Sequence, residues 1–158
     1  HLKSDSVLYD VGSGTGSIAV EAASLSDDME VYAIEQKENA VQLITQNKEK
    51  HGLENIHVIN AKAPDGMDIL PVPTHAFIGG SSGNLKEIIE ALKAKNPHIR
   101  IVINAISIET ICEIKEIMSA YDVKNEDIVQ LQVSRSKQIG HYHLMQAENP
   151  VWICSFEF

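Results

Sequence analysis

The sequence is short of several things, and each shortage narrows what the chain can be. No run approaches the ~18 consecutive apolar residues of a membrane span, and no stretch reads as a secretory signal. This leaves a cytoplasmic protein with no membrane partner as the expectation. There are only two cysteines, Cys112 and Cys154, both within apolar segments, where they read as buried thiols rather than a disulfide. No Cys, His or carboxylate spacing matches a metal site: His141 and His143 would share a face of a strand, but no further ligand stands near them. Nor is there a nucleophile elbow, because the centre of Gly12-Ser13-Gly14-Thr15-Gly16 is glycine rather than serine. Cys112, mid-helix among apolar neighbours, is no reactive thiolate. Basic residues are scarce as well. The net charge is −9, and the densest basic stretch, Lys86 to Lys95 plus Arg100, also contains Glu87 and Glu90. A main partner that is a polyanion such as nucleic acid is therefore disfavoured.

What is present is an ordinary globular composition, 44% apolar over 158 residues, enough for one domain with a sizeable core. The chain is organised around Val7-Leu8-Tyr9-Asp10-Val11 followed by Gly12-Ser13-Gly14-Thr15-Gly16 and Ser17-Ile18-Ala19-Val20-Glu21. This reads as a buried strand, a glycine turn and a helix, with Thr15 or Ser17 available to cap the helix. Glycines let the backbone turn tightly and approach a ligand closely. Val31-Tyr32-Ala33-Ile34 forms a second strand that ends at Glu35-Gln36. A dinucleotide fingerprint wants glycines at the first, third and sixth positions. Here they fall at the first, third and fifth, and the sixth position is Ser17. A nicotinamide or flavin dinucleotide, an S-adenosylmethionine (SAM) and a turn without a ligand remain open on the turn alone.

The remaining segments alternate. Ile18, Ala19, Ala22, Ala23 and Leu25 should give the first helix its apolar face. A second helix runs from Glu38 to about Lys50, with Ala40, Val41, Leu43, Ile44 and Asn47 on one side and Gly52 as its C-cap. Ile56-His57-Val58-Ile59 is a strand, with His57 in a structural role, followed by Asn60-Ala61-Lys62-Ala63. Ala76-Phe77-Ile78 is another strand. It enters a second glycine-rich loop, Gly79-Gly80-Ser81-Ser82-Gly83-Asn84, at the strand end where open α/β sheets place ligands. Leu85, Ile88, Ile89 and Leu92 have helical spacing, Arg100 to Ile103 is a strand ending at Asn104-Ala105, and Ile108 to Tyr121 is a helix. Ile128 to Val133 and Val151 to Phe156 read as strands around a polar loop, Ser134 to Pro150, that contains Arg135. A loop of that length usually carries function. The pattern predicts an α/β fold with a seven-stranded, mostly parallel sheet, closed by a hairpin-like antiparallel edge at the last strand.

Asp10-x-Gly12-x-Gly14-x-Gly16, with Glu35 closing the next strand, resembles the first two motifs of class I SAM-dependent methyltransferases, whose fold is Rossmann-like. That resemblance implies SAM beside Asp10, Gly12, Ser13, Gly14, Thr15 and Gly16, its ribose on Glu35 next to Gln36, and its adenine near Asn60 and Ala61 with Gly79 close by. The acid usual at the adenine turn is absent from Asn60 to Ala63, and so is the Asn/Asp-Pro-Pro-aromatic motif of amino-group methyltransferases.

Four stretches in order are similar to the CbiT family, the decarboxylating precorrin methyltransferases of cobalamin synthesis, and to the C-terminal half of the fused precorrin-6Y C5,15-methyltransferase. They are Asp10 to Ala23, Ile78 to Leu85, Asn104 to Thr110 and Ala147 to Val151. Ser82 stands where that resemblance leads one to expect glycine. The resemblance implies methylation of carbon 15 of precorrin-6B or cobalt-precorrin-6B, coupled to loss of carbon dioxide from the ring C acetate. It implies a tetrapyrrole held by Gly80, Ser81, Asn84, Asn104 and Arg135, and no assigned acid–base residue. It also implies a homo-oligomer, for instance a tetramer, and a carbon 5 methyltransferase as partner subunit or fused domain. The family carries a segment ahead of the first strand, so a missing N-terminal segment is expected before His1. The competing functional readings are a class I methyltransferase of RNA or protein, and a non-catalytic SAM-fold subunit.

Overall fold

Buried apolar runs alternate with helix-period segments, and they assemble as a twisted sheet with helices on both faces. The structure is a computed structural model that describes residues 2–158. Its elements are β1 (Val7–Val11), α1 (Ser17–Ala23), β2 (Glu30–Glu35), α2 (Glu38–His51), β3 (Ile56–Asn60), β4 (His75–Ile78), α3 (Leu85–Lys95), β5 (Arg100–Ala105), α4 (Ile108–Ala120), β6 (Lys124–Leu131), β7 (Ser134–Ile139), β8 (Tyr142–Ala147) and β9 (Val151–Glu157). The main sheet has seven strands in the order β3-β2-β1-β4-β5-β9-β6. β1 to β5 are parallel, and β9 runs antiparallel to both of its neighbours.

Side chains alternate across each strand, so the two faces build separate cores. Leu8, Val31, Ala33 and Ile56 pack with Ala19 and Ala22 of α1 and Ile44 of α2. Tyr9, Val11, Ile78, Ile101 and Ile103 pack with Ile88 and Leu92 of α3 and Ile114 and Met118 of α4. The chain order reverses between β1 and β4, so a crevice opens at their carboxyl ends.

As expected, the final strand pair closes the sheet: β6 is the edge, and the antiparallel last strand is β9, which lies between β5 and β6. Its Cys154, Ser155 and Phe156 are buried, which suits an interior strand, while β6, with Lys124, Glu126 and Asp127, is exposed throughout and suits an edge. The polar stretch 134–150 is not an irregular loop. β7 and β8 pair as a hairpin that turns at Gly140, whose φ is +61°. Every residue of the hairpin strands is exposed, so no alternation of apolar and polar residues betrays them. Neither Thr15 nor Ser17 caps α1; Gly16 is its N-cap, in the left-handed region, with no capping side chain of its own. Val20, not Ile18 or Leu25, joins Ala19, Ala22 and Ala23 inside, and in α2 only Ile44 is buried while Leu43 is exposed. Cys154 is buried, but Cys112 is exposed on α4.

Candidate active site

The first glycine turn is fixed from beneath. Gly12, Gly14 and Gly16 all have positive φ, at 68°, 60° and 77°. A Cβ on Gly12 would lie 2.4 Å from the Gly80 carbonyl oxygen, so the two glycine loops touch backbone to backbone there. Asp10 is fully buried below the turn. Its carboxylate accepts the Ser13 hydroxyl at 2.5 Å and the backbone N–H of Ala19 in the first turn of α1. Asp10 therefore does the capping work that the sequence reading gave to Thr15 or Ser17. Burial raises the Asp10 pKa to about 6, the bonds from Ser13 and Ala19 oppose the rise, and the nearby Glu35 charge adds to it.

Glu35, at the end of β2, closes the other side of the turn. Its Oε2 accepts the Gly14 N–H at 3.0 Å and its Oε1 accepts the Lys37 N–H at 2.9 Å. A carboxylate can accept about four hydrogen bonds, so capacity remains on both oxygens. Glu35 lines a cleft of about 260 Å³ with Gly12 and Gly14 beneath, Gln36 and Lys37 beside it, Ala61 to Ala63 at one end, and Gly80 to Ser82 facing. A Cβ on Gly14 would meet nothing within 4 Å, so glycine leaves this side open. The donor set suits a nucleoside: a buried acceptor pair for a ribose diol, and an apolar wall from Val11, Ile34 and the alanines for a base.

A second cleft of about 230 Å³ lies on the far side of the 79–84 loop, at the carboxyl ends of β4 and β5. Gly80, Ser81 and Ser82 line both clefts; Gly79, Asn104 and Thr110 line the second. Gly79 donates its N–H to the Val11 carbonyl at 2.9 Å, and Asn84 Nδ2 donates to the Ala63 carbonyl at 3.3 Å. The Asn104 Oδ1 atom is buried and has no hydrogen-bond partner among the described residues. Ser107 caps α4, accepting the Thr110 N–H at 3.2 Å.

A family model described as the precorrin methyltransferase domain matches residues 2–157. The chain belongs to this family. It is 38% identical over 159 residues to a probable cobalt-precorrin-6B C(15)-methyltransferase (decarboxylating) of Saccharolobus solfataricus, covering 98% of this chain and 79% of that one. The structure of a precorrin-6Y C5,15-methyltransferase from Geobacter metallireducens superposes with a TM-score of 0.90 at 30% identity, covering 99% of this chain and 82% of that one. A precorrin 8W decarboxylase of Methanobacterium thermoautotrophicum gives a TM-score of 0.84 at 31% identity, covering 96% and 81%. The fold is that of class I SAM-dependent methyltransferases, and it is shared with an O-methyltransferase of Thermotoga maritima at 16% identity and a TM-score of 0.78.

Within this precorrin methyltransferase domain, the structure brings Gly12, Gly14, Glu35, Gln36 and Ala61 to the first cleft and Gly79, Gly80, Ser81 and Asn104 to the second. Asp10, Ser13 and Gly16 stand beneath or behind the turn; Thr15 gives its carbonyl to Asn47 Nδ2 at 2.8 Å. Asn60 does not line the first cleft, because its amide donates to Glu38 at 2.7 Å. Asn84 starts α3 rather than lining either cleft. Arg135 is not brought to either cleft: hairpin pairing holds it opposite Gln146 on an exposed strand. Sequence reasoning passed over Lys37 and Lys62, which line the first cleft, and Thr110, which lines the second. Lys37 could have been found from its place two residues after Glu35.

Proposed function

We propose that this protein transfers a methyl group from SAM to carbon 15 of precorrin-6B, or of its cobalt form, with loss of carbon dioxide from the ring C acetate. The carrying observation is Glu35: a buried carboxylate, fixed by two backbone N–H groups, that keeps free acceptor capacity inside a nucleoside-sized cleft. SAM supplies a methyl group on a sulfonium. The chain's own part is to orient: Glu35 takes the ribose, the glycine turn lies against the amino-acid part, Ala61 and its neighbours lie against the base, and the Gly80–Ser82 backbone separates cofactor from acceptor. The second cleft, with Asn104 and Thr110, receives the tetrapyrrole. Positioning of this kind supplies much of the rate of an in-line displacement.

The test is incubation with precorrin-6B, metal-free and cobalt-loaded, and methyl-labelled SAM. The product should gain one labelled methyl and lose carbon dioxide. Failure with both, alongside transfer to RNA or protein, would overturn the assignment.

The family relationship also supports work beside a carbon 5 methyltransferase, as separate subunit or fused domain, in the cytoplasm; no described helix is long and apolar enough to cross a membrane. The working form is a homo-oligomer. A two-stranded hairpin alone is marginally stable in water, yet β7–β8 stands exposed with Ile139, Tyr142 and Leu144 on one face, and the β6 edge also exposes Ile128 and Leu131. Leu144→Glu should lower the assembly size measured by light scattering; an unchanged monomeric mass in both proteins would refute the oligomer.

A further inference from the structure

The 79–84 loop is the shared wall of the two clefts, and its ends are fixed more firmly than its middle. At its start, Gly79 bonds to the Val11 carbonyl and Gly80 packs against Gly12. At its end, Leu85 is fully buried in the core as α3 begins. Between them, the only side-chain bond from Ser81 or Ser82 to another element among the described residues is that of Gln36 Nε2, which donates to Ser82 Oγ at 2.7 Å. Gln36 follows Glu35 at the end of β2, and β1 lies between β2 and β4, so this bond crosses the mouth of the first cleft. Ser82 has φ +51°, a conformation that glycine adopts without cost and serine does not. What serine has at this position and glycine would lack is the hydroxyl that accepts the Gln36 bond.

We propose that Gln36 and Ser82 form a strap over the cofactor cleft that positions the 79–84 loop, so that cofactor residence and acceptor placement depend on the same contact. This rests on the first cleft being the SAM site. Both partners are exposed, so the bond opens at modest cost and closes again once the cofactor is beneath it. Because Ser82 lines both clefts, release of the strap also moves the wall that the acceptor meets. Gln36 and Ser82 are positioning residues; neither is placed at the reacting atoms.

The experiment measures release of S-adenosylhomocysteine, the demethylated cofactor product, by stopped flow, together with KM and kcat for the tetrapyrrole, on the intact chain. Ser82→Gly suits the backbone but lacks the hydroxyl. It should release S-adenosylhomocysteine about three- to tenfold faster, the range expected for losing one exposed hydrogen bond, and raise the tetrapyrrole KM more than it lowers kcat. Gln36→Ala should match it, and the double variant should be no worse than the worse single one. Ser82→Asn, which tolerates this backbone and keeps an acceptor, should return release toward the wild-type rate. Wild-type release in Ser82→Gly, or effects that multiply in the double variant, would overturn the strap alone. Absence of S-adenosylhomocysteine binding by the wild-type protein would overturn the cofactor reading, and the strap with it.

Discussion

The two glycine loops of this protein are built on opposite plans. The Gly12–Gly16 turn is over-determined: Asp10 and Ser13 brace it from below, Glu35 bonds Gly14, Gly16 abuts Ile44, and Gly12 touches Gly80. The Gly79–Asn84 loop is fixed at its ends and tied across its middle by one side-chain bond. A cofactor with an invariant shape can be met by a rigid cradle, whereas an acceptor of large size must enter past a wall that gives way. On this account, the same residue type serves close packing in one loop and freedom of movement in the other.

The contrast is sharpest for alanine substitution. Gly12→Ala places a Cβ 2.4 Å from the Gly80 oxygen at φ +68°, while a Cβ on Gly80 would meet nothing within 4 Å. We expect Gly12→Ala to lose about 3 kcal/mol of stability in urea unfolding, from left-handed strain plus overpacking, and Gly80→Ala less than about 1 kcal/mol. Equal losses would break the comparison.

The bracing under the first turn has a pH signature. Burial holds the Asp10 pKa at about 6 in the folded protein against the ordinary carboxyl value of 3.8, so the folded state binds the proton more tightly than the unfolded state. The associated stability is fully present below the unfolded pKa and is lost as pH rises through about 6. Asp10→Asn keeps an acceptor for Ser13 and Ala19 without the charge. Relative to wild type, its stability should improve between about pH 4 and pH 7, by about 3 kcal/mol at most. A difference that stays flat across that range would refute the buried-carboxylate account.

Gly14→Ala separates binding from folding. Its Cβ has space, at φ +60°, on a residue that lines the first cleft with Glu35. The fold should lose about 1–2 kcal/mol, while calorimetry should show S-adenosylhomocysteine affinity reduced about tenfold, near 1.4 kcal/mol. Unchanged affinity would move the cofactor away from this turn.

These differences also mark how far the sequence could be read. Glu35, the glycine turn and the buried face of α3 are visible because each is local chemistry: an acid closing a strand, a turn needing positive φ, and apolar residues Leu85, Ile88, Ile89 and Leu92 at helical spacing, all buried. The cap of α1 is not local. It comes from Asp10, ahead of the turn, so Thr15 and Ser17 looked like better candidates than they are. Lys62 lines the first cleft from an exposed loop position, where no periodicity singles it out. The β7–β8 hairpin is hidden because both of its faces are exposed and one face mixes the charged Arg135 and Lys137 with the apolar Ile139, Tyr142 and Leu144.

The most direct test is the affinity of S-adenosylhomocysteine for wild type and for Glu35→Ala, measured by calorimetry with folding checked by circular dichroism. If Glu35 holds the ribose, loss of two bonds to a charged acceptor should weaken binding about 100-fold, near 2.7 kcal/mol. An unchanged affinity in a folded Glu35→Ala protein would contradict the assignment of this cleft as the cofactor site.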